Sequence, residues 1–333
     1  MTDQSPSVAV LGAGSWGTAL AMLVARNGFN VTLWGHDAAH MAMLAHERKN
    51  SRYLPGMTFP DNLEISDNLN DTATTHENWL VVVPSHAFRV TLDALAPFAS
   101  ADTRLAWATK GLEPEASRLL SDIVTESCPG VRSAVVSGPT FAKEVAMGMP
   151  TALTVASSDT ETAEHVANWL RGDTVRVYTN SDVIGVQLGG AIKNVMAIAA
   201  GISDGLGFGA NTRAALITRG LAELTRLGVA MGGHAETFTG LTGAGDLVLT
   251  CTDNLSRNRQ VGLGLGAGKS LATILSELGQ EAEGVNTARE LHRLAARLGV
   301  DMPITEQVFR VLYEGVSPRD AVVALLQRDP KSE

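Results

Sequence analysis

The hydrophobic positions of this chain fall into two regimes. Up to about residue 180 they form short, nearly unbroken runs: VAVL at 8–11, NVTLW at 30–34, WLVVV at 79–83, RLAWAT at 104–109, AVVS at 134–137, TALTVA at 151–156 and VRVY at 175–178. Runs of this length without polar alternation predict strands covered on both faces, as in a parallel sheet. Between them, TALAMLVARNG and residues 161–170 have helical composition, with Gly28 as a stop for the first. Residues 38–76 read as a helix and then a polar, proline-containing loop around YLPGMTFPDN. From Asp182 onward the strand pattern ceases, and helical segments alternate with glycine-rich turns.

The first run passes straight into GAGSWG, a G-x-G-x-x-G sequence between a strand and a helix. Gly12 allows the tight turn, Gly14 lets a pyrophosphate approach the backbone, and Gly17 lets helix pack on strand. The helix N-terminus offers N–H groups to the anion. The predicted class is therefore α/β: an N-terminal Rossmann-type parallel-sheet domain over 1–180 binding a dinucleotide, then an all-helical substrate-binding domain over 181–333. The second strand ends Trp34, Gly35, His36, with an acid only at Asp37. An acid at the strand end would accept from the ribose 2′-hydroxyl and repel a 2′-phosphate, so its displacement makes NADP use compatible with this loop.

The most informative helical segment is 183–202, VIGVQLGGAIKNVMAIAAGI, apolar except for Gln187, Asn194 and a central Lys193. Oxygens of Thr179, Asn180, Ser181 and Asp182 precede it as N-cap acceptors. Three readings stand at this point. A membrane span would carry a lysine costing about 2.5–3.5 kcal/mol at its centre. A core helix could let the lysine snorkel to the surface. A functional helix would use Gly189, Gly190 and Ala197, which share the lysine's face, to leave a low surface for a flat ligand beside an ammonium suited to proton transfer.

Composition narrows the partners. A net charge of −9 over 333 residues disfavours nonspecific binding to nucleic acid or acidic membranes. The N-terminal MTDQSPS lacks the basic and apolar regions of a signal peptide, so the cytoplasm is the expected location. Cys128 and Cys251 are too few and too far apart for a disulfide framework or a CxxC metal site. No H-E-x-x-H, G-x-S-x-G or EF-hand loop occurs, and GLGLGAGKS at 262–270 is not a P-loop, because Leu263 stands where that motif needs glycine. This stretch reads as a glycine-rich turn. Lys110, after the fourth run, and GPTFAKE at 138–144, after the fifth, fall where open parallel sheets carry their functional loops. Asp246 opens an apolar helical run, where an acid is electrostatically favoured, and Ser256, Arg257, Asn258 and Arg259 form a cluster suited to a phosphate.

GAGSWGTALA, the Lys110–Gly111 pair, SGPTFAKE, the AIKNVMAIAAGISDGLGFGANTRAALITRG block, LTGAGDLVLTC and NLSRNRQVG, in this order and spacing, resemble the bacterial NAD(P)-dependent glycerol-3-phosphate dehydrogenases over nearly the whole chain. The resemblance implies reversible reduction of dihydroxyacetone phosphate to sn-glycerol 3-phosphate for glycerophospholipid synthesis, with NADPH or NADH. It makes Lys193 the proton donor or acceptor and Lys110 a contact to both substrate and cofactor. Gly138, Thr140, Asp246, Ser256, Arg257 and Asn258 are implied substrate contacts. Ser15, Trp16, His36, Ala142, Arg257, Glu281 and Glu283 are implied cofactor contacts beside Gly12, Gly14 and Gly17. The chain departs from the family at Glu281, where an apolar residue is common. A β-hydroxy-acid dehydrogenase of similar architecture would share G-x-G-x-x-G and a helix lysine without the cluster at 256–258. A non-catalytic NAD(P)H sensor would bind cofactor without turnover. No metal is needed for either reductase reading, and a homodimer is the expected assembly, since closed two-fold dimers are the commonest oligomers.

Overall fold

The computed structural model describes residues 6–328. The elements run β1 (Ser7–Leu11), α1 (Ser15–Arg26), β2 (Asn30–Trp34), α2 (Ala38–Glu47), β3 (Leu63–Ser66), α3 (Leu69–Thr75), β4 (Asn78–Val81), α4 (Ser85–Leu95), β5 (Arg104–Trp107), α5 (Leu120–Ser127), β6 (Arg132–Ser137), α6 (Ala142–Ala146), β7 (Thr151–Ala156), α7 (Thr160–Leu170) and β8 (Val175–Asn180). Helices follow: α8 (Val183–Gly205), α9 (Ala210–Ala230), α10 (Ala235–Thr239), α11 (Asp246–Thr252), α12 (Arg257–Gly266), α13 (Leu271–Leu278), α14 (Glu283–Leu298), α15 (Pro303–Tyr313) and α16 (Pro318–Leu326). The predicted α/β class, a Rossmann-type sheet followed by helices, is the one the chain adopts.

The strands form one sheet in the order β3-β2-β1-β4-β5-β6-β7-β8. All neighbours are parallel except β6 and β7. Along β1, Val8 and Val10 enter one apolar cluster while Ala9 and Leu11 enter another; in β4, Leu80 joins the first, and Trp79 and Val81 the second. Both faces of the sheet are thus covered, which is why these strands read as continuous apolar runs. The strand order reverses between β1 and β4, the position where open α/β sheets form a ligand crevice.

Residues 38–76 hold more than a helix and a loop, since β3 pairs with β2 and α3 follows it. LEIS in β3 is half-exposed at a sheet edge and carries no unbroken apolar run to betray it. The segment at 262–270 also departs from a simple turn: α12 continues through Gly266, and the turn proper precedes Ser270, which caps α13 by accepting from Thr273 N.

The chain divides into two compact units. The first runs up to Lys110 and resumes over Leu120–Val186; the second comprises Gly111–Leu119 and the chain from Gln187 onward. Within the second unit, the 111–119 segment is tied to α14: Ser117 Oγ donates to Glu290 Oε2 at 2.6 Å, and Arg297 donates to the carbonyls of Ala116 and Ser117. Asp182 starts α8 by accepting from Gly185 N at 2.8 Å. The apolar window of α8, the one stretch among the described residues long and apolar enough to cross a membrane, is 89% buried in protein. It is a core helix.

Candidate active site

In the first unit the glycine turn has the geometry of a dinucleotide-binding loop. Gly12 has φ +125°, and a Cβ there would stand 2.8 Å from the Val82 carbonyl carbon. A Cβ at Gly17 would overlap the Gly12 carbonyl oxygen at 1.8 Å, so only glycine lets α1 pack on the turn. Gly14 faces open space, with nothing within 4 Å of its Cβ position. It also precedes α1 with no side-chain cap, leaving the first N–H groups of the helix for an anion. Beside it Ser15 is half-buried, and the buried Trp16 Nε1 has no hydrogen-bond partner among the described residues. An open approach, an uncapped helix start and an orphaned donor together meet what a pyrophosphate-bearing cofactor requires.

His36 is exposed just beyond β2. The nearby acid, Asp37, is occupied otherwise: its carboxylate accepts from His40 N at 3.1 Å and caps α2, and that bond holds its pKa below the usual carboxylate value. On the far side of β1 and β4, the loops after β5 and β6 meet. Lys110 Nζ donates to Gly138 O at 3.2 Å, and Thr140 Oγ1 donates to the same carbonyl at 3.3 Å. Gly138, at φ +139°, could not carry a side chain there without strain. Ala142 opens α6 two residues after Thr140. The structure therefore gathers Lys110, Gly138, Thr140 and Ala142, and sets His36 apart, with β1 and β4 between.

In the second unit Lys193 does not snorkel. It is 6% exposed, its Nζ donating to Asp246 Oδ1 at 2.5 Å and to Thr250 Oγ1 at 2.8 Å. Asp246 is fully buried, and Thr250 Oγ1 also donates to its Oδ1 at 3.2 Å. Thr250 was not singled out in the sequence; the available signal is its place one helical turn after Asp246 on α11. Gly189 does not lower the surface for a ligand. Its Cβ position lies 2.4 Å from the Thr242 carbonyl, so the glycine admits the Leu241–Gly245 turn that delivers Asp246 to the lysine.

The basic cluster is equally built. Ser256 caps α12 by accepting from Arg259 N at 3.2 Å. Asn258 is buried, donating to Asn194 Oδ1 and accepting from Gly284 N, both at 2.9 Å, so it links the residue after Lys193 to the start of α14. Arg257 sits beside Gln280, Glu281 and Glu283. Burial lowers its pKa from the ordinary guanidinium value, while Glu283 and then Glu281 push the other way. Glu281 thus has a charge partner here, which gives the departure from the family pattern a local counterpart.

A nucleotide-ready glycine turn on a Rossmann-type sheet, followed by a helical unit with a buried lysine–carboxylate pair, defines a nicotinamide-dependent oxidoreductase acting on a CH–OH group. The family descriptions of NAD-dependent glycerol-3-phosphate dehydrogenase match the chain twice, the N-terminal part over residues 7–163 and the C-terminal part over residues 182–323. The glycerol-3-phosphate dehydrogenase [NAD(P)+] of Thioalkalivibrio sulfidiphilus is 59% identical over 98% of this chain and 99% of its own. That of Pseudoalteromonas translucida is 56% identical over the full length of both. The crystal structure of glycerol-3-phosphate dehydrogenase from Coxiella burnetii superposes with a TM-score of 0.95 at 47% identity, covering 97% of this chain and 99% of that one. The chain belongs to the NAD-dependent glycerol-3-phosphate dehydrogenase family.

Proposed function

We propose that the protein reversibly reduces dihydroxyacetone phosphate to sn-glycerol 3-phosphate with NADPH or NADH, supplying glycerophospholipid synthesis, and that it works in the cytoplasm as a homodimer. The N-terminal domain holds the dinucleotide and the helical domain the substrate. The observation that carries this reading is the buried Lys193–Asp246–Thr250 cluster. A ketone becoming an alcohol needs charge stabilisation and a proton at oxygen, and a buried ammonium supplies both.

When bound, the nicotinamide supplies hydride at carbon. Lys193 polarises the carbonyl oxygen and transfers a proton to the developing alkoxide. Asp246 holds the ammonium in place before transfer, and Thr250 orients it. Lys110 is the proposed contact to both substrate and cofactor, and Gly138 and Thr140 are proposed substrate contacts. Ser256, Arg257 and Asn258 bind the phosphate, so binding energy remote from the reacting carbon fixes its position. Gly12, Gly14, Ser15, Trp16 and Gly17 cradle the pyrophosphate, His36 meets the adenosine ribose, and Ala142, Arg257, Glu281 and Glu283 complete the cofactor contacts.

The test is oxidation of NADPH and of NADH, followed by absorbance, on addition of dihydroxyacetone phosphate. Turnover is expected in the wild type, and its loss in Lys193→Ala with cofactor binding retained. Near-normal turnover in that variant removes Lys193 from the mechanism. Binding without oxidation in the wild type would favour a β-hydroxy-acid substrate or a sensor.

A further inference from the structure

The helix carrying Lys193 and the helix carrying the basic cluster touch through their backbones. A Cβ at Gly201 on α8 would lie 2.2 Å from Arg259 O, and one at Gly205 would lie 2.5 Å from Leu263 O. From the other side, a Cβ at Gly262 on α12 would lie 2.1 Å from Ile198 O, and one at Gly266 would lie 2.5 Å from Ile202 O. Each helix thus presents a G-x-x-x-G face to the other. Such a contact sets how closely the helices approach, but with no side chains interlocked it resists their sliding along one another only weakly.

One charged contact beside this seam does resist it. Asp204 lies eleven residues after Lys193, just over three helical turns along the same face of α8. Its Oδ2 stands 2.6 Å from Nη1 of Arg259, which is 6% exposed, and accepts from Arg213 Nη1 at 2.7 Å. Arg259 Nε donates to Asn254 Oδ1 at 3.1 Å, on the approach to the basic cluster. Arg259 N completes the Ser256 cap, so the same residue is bound to the start of α12 at its backbone and to α8 at its side chain.

This pair is poorly suited to stabilising the fold. Arg259 Nη1 meets the carboxylate off the line of a hydrogen bond, and the buried Asp204 Oδ1 has no hydrogen-bond partner among the described residues. Buried ion pairs with such defects give little net stability, and fixing register is their best-attested use.

We propose that Asp204 and Arg259 are positioning residues for phosphate recognition. Their ion pair sets the register of α12 on α8, and thereby the place of Ser256, Arg257 and Asn258 relative to Lys193. Asn258–Asn194 and Arg259–Asp204 leave α12 from adjacent residues and reach α8 at points ten residues apart, so together they tie the start of α12 along the length of α8. The inference rests on the assignment of that cluster to the substrate phosphate.

The test measures KM for dihydroxyacetone phosphate, KM for NADPH, kcat and thermal melting in Asp204→Asn, Arg259→Met and Arg259→Lys. In parallel, calorimetry follows binding of inorganic phosphate, which needs no turnover. Losing the pair should raise KM for the ketone phosphate and weaken phosphate binding by about tenfold, with a smaller rise in KM for NADPH, which meets the positioned cluster through Arg257 alone. Arg259→Lys, which keeps the charge, should recover most of the loss. In an Arg257→Ala background, Asp204→Asn should add much less than it costs in the wild type, because the one charged group it positions is gone and only Ser256 and Asn258 remain. Unchanged phosphate binding in a folded Asp204→Asn protein overturns the proposal, as does a full additive loss in the Arg257→Ala background. Should Arg259→Met fail to fold, the nearly isosteric Asp204→Asn decides. A wild type that binds phosphate but does not turn over the ketone defeats the activity assignment and leaves the positioning role to be judged by calorimetry.

Discussion

Replacing Gly262 by alanine sets two effects of opposite sign against each other. Within a helix, glycine to alanine is worth about 1 kcal/mol in favour of alanine. Against this, the new methyl would stand 2.1 Å from Ile198 O, 2.7 Å from Ile202 N and 2.8 Å from Gly201 Cα. All three are backbone atoms of α8, so no side chain can rotate away, and α12 must retreat by roughly 1 Å to reach ordinary contact distance. Overpacking of a close-packed interior costs about 1–3 kcal/mol, and the absence of any yielding group puts this site at the upper end.

The net expectation is a loss of about 2 kcal/mol, or a fall in Tm of about 4–8 °C for a unit of this size. The functional effect should be larger. Because α12 begins with the cluster proposed to bind phosphate, a displacement of about 1 Å can lower kcat/KM for dihydroxyacetone phosphate by on the order of 100-fold. Gly264→Ala is the internal control. Its methyl would meet Ile274 Cδ1 and Cγ1 at 2.7 Å, atoms of a side chain that can change rotamer. Melting scans and steady-state kinetics on the two variants decide. Equal melting temperatures and equal kcat/KM for the pair would refute the claim that α12 is seated by backbone contact.

Arg257→Ala should raise KM for dihydroxyacetone phosphate by about 10–100-fold, the value of one charged hydrogen-bonding group; an unchanged KM counts against its phosphate role. His36→Asp should lower the NADPH-to-NADH preference, measured as a ratio of kcat/KM, by about tenfold, because it returns an acid to the end of β2. An unaltered ratio would mean that this loop does not meet the 2′-phosphate. Glu223 is buried, and burial raises its pKa to about 7 despite hydrogen bonds from Ile304 N, Thr305 N and Thr305 Oγ1. The native state therefore holds a proton that the unfolded chain has released, from the ordinary value of 4.5 up to about 7, and stability should fall as pH rises through that window. The ceiling on this contribution is on the order of 3 kcal/mol. Glu223→Gln should flatten that part of a urea-midpoint profile; the same slope in both proteins would assign the proton elsewhere.

What was legible in the sequence follows from how locally each feature is encoded. The buried strands announced themselves because both faces of the sheet are covered, whereas Leu63–Ser66, half-exposed at the edge, left no run to read. The glycine turn could be read because its three glycines stand within six residues between a strand and a helix. Lys193 drew notice as a charge in an apolar helix, but its partner Thr250 could not, since hydroxyls are common and only the α11 turn brings this one to the ammonium. Arg257 and Glu281 lie far apart in sequence, so their electrostatic contact was hidden until the chain folded. The 111–119 segment was equally hidden: nothing between Lys110 and Leu120 signals that these residues join α14 in the second unit.

The glycines of α8 were the most misleading feature, and the reason bears on catalysis. Gly189 reads in sequence as an open surface and Gly201 carries no reading there, yet a missing side chain permits either an open surface or a close contact at both. The structure uses both for contact. Gly189 admits the turn that carries Asp246, and Gly201 admits the helix that carries the phosphate cluster. Acid partner and anion cluster are thus each referred to the lysine's own helix through backbone atoms, which have fewer ways to relax than side chains. A site built this way holds its ammonium and its anion-binding groups at a set separation before substrate arrives. The same construction explains why one methyl at Gly262 should cost more in catalysis than in stability: the fold can absorb a shift of about 1 Å, but the alignment of reacting groups cannot.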